Sequence, residues 1–152
     1  MVVHAEIWLT KSGELIPCEI ASRTGGSLIA KNIKRARCFD LNEIWVKAQV
    51  GLPWQHLIDH ARDFPALNFT GFVLMPPKVG TLVCVADDDL PPYVDEYRLL
   101  MTPGKRSELA QKQADCLATF LASADDEASM RERLFALATW FDERAIWEEM
   151  TP

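Results

Sequence analysis

The spacing of apolar residues along this chain changes from a period of two to a period of 3.6, and that change limits the folds open to it. Near the start, Val3, Ala5, Ile7 and Leu9 alternate with His4, Glu6 and Trp8, which is how a half-buried strand reads. Near the end, Met130, Leu134, Leu137, Ala138, Phe141 and Ala145 recur at helical spacing. Strands first and helices last predict an α+β fold, with helices gathered on one side of an antiparallel sheet.

Between these ends, Lys11 to Glu14 turns the chain and Leu15 to Ala21 returns it. Pro17 removes a ladder donor there and pushes the return strand toward a sheet edge or a bulge. Further strands are predicted at 27–30, 37–41 and 43–50, the last with Ile44 and Val46 opposite Glu43, Trp45 and Lys47. Residues 53–63 read as a short helix that turns Trp54, Leu57, Ile58 and Ala61 inward, with Pro53 in its first turn. Phe69 to Met75 and Val79 to Ala86 read as a hairpin whose second strand is central, and 93–101 as another strand. From Thr102 a helix through Leu109, Cys116, Leu117, Phe120 and Leu121 is expected to pack against the last helix as an antiparallel pair. The expectation is one domain over 1–152: residues 1–101 mainly β with the helix at 53–63, residues 102–150 a helical hairpin on the sheet, and about six or seven short strands in all.

A chain of 152 residues can bury roughly 68 to 70% of its unfolded surface, so it can hold a core of its own. No apolar run is long enough to cross a bilayer, and the start lacks the basic region of a signal peptide, so the expected address is the cytoplasm. Cys18, Cys38, Cys84 and Cys116 are widely separated and read as buried free thiols. The formal charge of −6 is set against a dominant role in binding nucleic acid.

Four of the five tryptophans fall outside the apolar pattern: Trp8 and Trp45 on the polar side of predicted strands, Trp140 and Trp147 beside the stripe of the last helix. Large aromatics left over by a core are suited to anchoring a partner. Glu148 and Glu149 flank Trp147 at a helix end where the macrodipole disfavours anions, and Asp87, Asp88 and Asp89 add a second acidic cluster.

Other chemistry has weaker support. His56-Leu57-Ile58-Asp59-His60 resembles the inverted zinc-protease signature H-x-x-E-H, but Asp59 replaces the glutamate, and His56, His60 and Asp63 lie opposite the apolar stripe of their helix. Lys31, Lys34, Arg35 and Arg37 could neutralise phosphates, yet no aromatic platform interleaves with them. The calcium-loop, P-loop and nucleophile-elbow patterns all fail. The expectation is therefore a non-catalytic protein-binding protein: an inhibitor, immunity-type or adaptor protein. Trp8, Trp45, Trp140, Trp147, Glu148, Glu149, Asp87, Asp88 and Asp89 would meet a basic protein partner, with no catalytic residue, metal or cofactor assigned and a homodimer compatible. A metal-dependent hydrolase using His56 and His60, and nucleic-acid binding through Lys31 to Arg37, are the alternatives.

Overall fold

The alternation that opens the chain folds as a strand. In the computed structural model, which describes residues 2–62, 69–112 and 115–148 (side chains of 60–62 apart), β1 (His4–Leu9) pairs antiparallel with β2 (Leu15–Ala21). Gly13 makes the turn possible, taking a φ of 83° while its N–H donates to the Thr10 carbonyl at 3.0 Å. The ladder runs regularly to Ile7 opposite Pro17 and then skips Cys18, so that Glu6 faces Glu19 and His4 faces Ala21. This is a β-bulge, next to the proline that cannot donate to the ladder.

The chain divides into two compact units, residues 1–67 and 68–152. In the first, the hairpin is followed by three helices, α1 (Ile29–Arg37), α2 (Leu41–Gln49) and α3 (Gln55–Arg62). The strands predicted at 27–30, 37–41 and 43–50 are thus corrected to helix. Ile44 is 2% exposed but Val46 is 54% exposed, although an alternating strand would bury both on one face. Leu41, Ile44, Trp45 and Ala48 instead share a helical face. Asp40 fixes where α2 begins by accepting from the N–H groups of Asn42 at 2.9 Å and Glu43 at 3.4 Å. The Lys34 ammonium hydrogen-bonded to Asp40 at 3.1 Å, together with those amides, holds its carboxyl below the ordinary carboxylate value. The helix expected at 53–63 is present as α3.

The second unit contains β3 (Phe69–Met75), β4 (Gly80–Val85), β5 (Val94–Leu99), the short β6 (Arg106–Ser107), β7 (Ala118–Ala124), α4 (Glu127–Arg144) and β8 (Ala145–Glu148). One antiparallel sheet has the order β3-β7-β5 and the other β6-β4-β8, and α4 lies against β3 and β7. The predicted helix through Leu117, Phe120 and Leu121 is therefore a central strand, and the C-terminal pair of helices reduces to α4 alone. Every residue of β7 except Ser123 is buried, so the strand shows no alternation and its apolar run imitates a helical stripe. The predicted hairpin of 69–75 with 79–86 is corrected as well: β3 and β4 belong to different sheets. β4 is nonetheless central in its own sheet, as expected.

Phe120 organises the core of this unit. Its ring stacks on Tyr97 at 4.9 Å and meets the edges of Trp140 at 6.0 Å and Phe141 at 5.8 Å. Burial, with the charge of Asp87 added, holds the Tyr97 phenol above its ordinary value. The fold class stands as α+β with antiparallel sheets, comprising eight short strands and four helices among the described residues. Among the same residues no helix is long and apolar enough to cross a membrane. All four cysteines are free, but Cys18 and Cys38 are exposed, contrary to the expected burial. The first is the bulged residue of β2, and the second ends α1 with a left-handed φ of 58°.

Candidate functional site

The first unit places two acids face to face. In an antiparallel ladder directly opposed side chains share a face, with Cβ atoms about 4.5 to 5.5 Å apart. Glu6 and Glu19 stand in that relation, each side chain about half exposed. Like charges so placed repel unless something positive joins them. Each carboxylate has one cationic or ring partner: His4 Nε2 lies 3.2 Å from Glu6 Oε1, and Arg23 Nη2 donates to Glu19 Oε1 at 3.2 Å. A carboxylate only accepts, so the His4 ring nitrogen is the donor.

Arg23 opens the segment Arg23-Thr24-Gly25-Gly26-Ser27, which leads into α1. A Cβ on Gly25 would come within 2.8 Å of the Ile29 side chain, so this close approach to the first residue of α1 requires glycine. Leu28 provides no side-chain cap for α1, and no acid lies in its first turn. With no acid in that turn, the positive end of the helix dipole favours an anion. Two carboxylates, an arginine and an uncapped helix start thus follow one another over residues 6–29, held by one hairpin and one turn.

The residues singled out in the sequence lie elsewhere. Trp8 is on β1 and 67% exposed, while Trp45 lies half-buried on α2 with its indole nitrogen enclosed. Trp140 and Trp147 pack against the core of the second unit. Arg144 joins two of the predicted elements: its guanidinium lies 4.7 Å over the Trp140 ring and 4.0 Å from Asp89. Asp87, Asp88 and Asp89 are exposed beyond β4, Glu148 is the exposed end of β8, and Glu149 lies outside the described residues. His56 is exposed on α3, whereas the His60 side chain and Asp63 are outside the described residues. Among those residues no three His, Cys, Asp or Glu side chains cluster to hold a metal. Lys31, Lys34, Arg35 and Arg37 belong to α1.

Reading each strand separately does not bring Glu6, Glu19 and Arg23 together. In the sequence Glu6 reads only as part of a polar strand face, and only the bulged register reveals its opposite number.

No family model and no curated protein matches the sequence. Solved structures do resemble it. An L-amino acid ligase from Bacillus licheniformis superposes with a TM-score of 0.73 at 16% identity, over 97% of this chain and 38% of the ligase. A phosphoribosylglycinamide synthetase from Anaerococcus prevotii superposes with a TM-score of 0.68 at 8% identity, over 97% of this chain and 37% of the synthetase. The likeness is one of fold. This chain spans less than two fifths of either neighbour's length. The expectation of a non-catalytic inhibitor, immunity-type or adaptor protein is corrected by this finding, because the fold recurs within two enzymes that form bonds. The hydrolase and nucleic-acid alternatives fall with it. That expectation rests on off-pattern tryptophans, yet two of the four pack against a core.

Proposed function

We propose that this chain carries part of the catalytic region of an ATP-dependent ligase of the ATP-grasp kind, joining a carboxylate to an amine. The direct opposition of Glu6 and Glu19 carries the reading. Two carboxylates are too few for an all-protein metal cage but suit Mg²⁺, which is commonly held by one or two carboxylates plus substrate phosphates and water. Bound there, the cation would neutralise charge on the phosphates during phosphoryl transfer.

The chain's own residues have separable roles in this scheme. His4 donates to Glu6 and orients it, and Arg23 does the same for Glu19. Arg23 also donates to the Thr24 carbonyl at 3.2 Å, and its remaining N–H groups can reach a phosphate or carboxylate. Beside it, the Gly25-Gly26 backbone and the first turn of α1 stabilise negative charge as it develops. In the reaction a substrate carboxylate oxygen takes the γ-phosphoryl group of ATP, ADP leaves, and the amine nitrogen then displaces phosphate and gives up a proton. The neighbours' names make amino acids the first substrates to test.

The test is Mn²⁺ binding in the presence of ADP, read from the EPR signal of the free ion. Glu19→Gln is expected to weaken uptake about 10- to 100-fold while Trp8→Ala leaves it unchanged. Equal uptake by wild type and Glu19→Gln would remove the proposal.

A further inference from the structure

The two edges of the β3-β7-β5 sheet are built differently. β5 contains Asp95, Glu96 and Arg98, and its pairing with β7 is irregular between Val94 and Glu96. Charges and bulges of this kind discourage another strand from adding to an edge. β3, at the other edge, reads Phe-Thr-Gly-Phe-Val-Leu-Met, with no charge and no proline, and pairs with β7 without a break in register. Among the described strands it pairs with β7 alone. An end strand of seven residues with no charge and an unbroken register is a template for an identical strand.

Beside that edge an open groove of about 670 Å³ runs between β3 and α4, with Phe69, Phe72, Leu74, Met130, Leu134 and Phe135 among its walls. Phe135 is 66% exposed and Phe69 48% exposed. Glu127, Arg131 and Phe135 follow one another at four-residue spacing along the exposed side of α4, and the Arg131 guanidinium lies 5.9 Å over the Phe135 ring. The groove therefore brings one acid, one base and one uncovered aromatic ring.

We propose that this surface binds a second copy of the chain, β3 pairing antiparallel with the other copy's β3 about a two-fold axis perpendicular to the sheet. Such an axis keeps both α4 helices on the same face of a continuous six-stranded sheet and runs them antiparallel. Running antiparallel, the two helices can set Glu127 of one copy against Arg131 of the other, a self-complementary charge pair at the rim. The inference is independent of the ligase reading, because it uses none of the residues of the first unit.

Sedimentation velocity of the full chain between about 1 and 100 µM tests it, with unfolding midpoints checked for every variant. The wild type should pass from monomer to dimer, and Phe135→Glu should remain monomeric with an unchanged midpoint. Glu127→Arg and Arg131→Glu should each weaken the dimer about tenfold, and the double exchange should restore it. A wild type that is monomeric throughout, whether or not another protein occupies the groove, overturns the proposal. So does a dimer indifferent to Phe135→Glu, or one that the double exchange fails to restore.

Discussion

Residues 1–67 and 68–152 have similar shares of apolar residues and use them to opposite ends. In the second unit Phe120, Phe141, Leu82 and Leu137 are fully buried around a common centre. In the first, only Leu28, Ala30 and Ile44 are buried among the described apolar residues, while Ile7, Leu9, Leu15 and Ile20 remain largely exposed on the hairpin. A two-stranded ribbon is marginal on its own in water. The comparison teaches that alternation marks a face able to be covered, not a face that is covered. It also separates two kinds of work: the second unit is organised around packing, and the first presents charged groups on a thin support.

The contrast can be broken at its strongest point by Phe120→Ala, expected to cost about 3 to 5 kcal/mol in urea unfolding, against a change within about 0.5 kcal/mol for Trp8→Ala. Equal costs would mean that the hairpin belongs to a core after all. A smaller effect is expected from Asp40→Ala, about 0.5 to 2 kcal/mol through loss of the α2 cap, read from the same measurement. Because the folded Asp40 carboxyl lies below its unfolded value, its contribution is complete above about pH 4 and disappears as pH falls through the folded value. Stability of the wild type should thus fall faster than that of the variant under acid, and parallel curves would refute the assignment. The smallest effect sharpens the comparison most. Glu6→Gln relieves a like-charge pair and should raise stability by about 0.2 to 1 kcal/mol in the absence of cation, while Mn²⁺ and ADP binding declines. A loss of stability would assign Glu6 to the support rather than to the site.

Where local pattern and tertiary environment agree, the sequence was legible. Pro17 lies next to its bulge, and α4 carries Met130, Leu137 and Phe141 to burial along one stripe, whereas β1 folds as the strand its alternation predicts without having that face covered. Errors arose where one environment imitates another. β7 is covered on both faces and so loses the period of a strand, while in α2 an Ile44-to-Val46 alternation conceals a helix that Asp40 begins. The site was less legible still, because opposition of Glu6 to Glu19 depends on register, and register depends on a bulge that spacing alone does not locate. Arg23 and Gly25 become meaningful only once β2 is known to lead into α1 through them.

The skipped Cys18 gives the hairpin unequal arms, and with them a phase. In an unbroken ladder the thiol would stand across from Glu6, and Glu19 would point to the other side with Ala5. Deleting Cys18 should therefore straighten the ribbon yet leave the carboxylates facing one another, whereas adding a residue before Glu19 would part them. The parity of a residue count, as much as the identity of any side chain, decides whether this protein has two acids in one place.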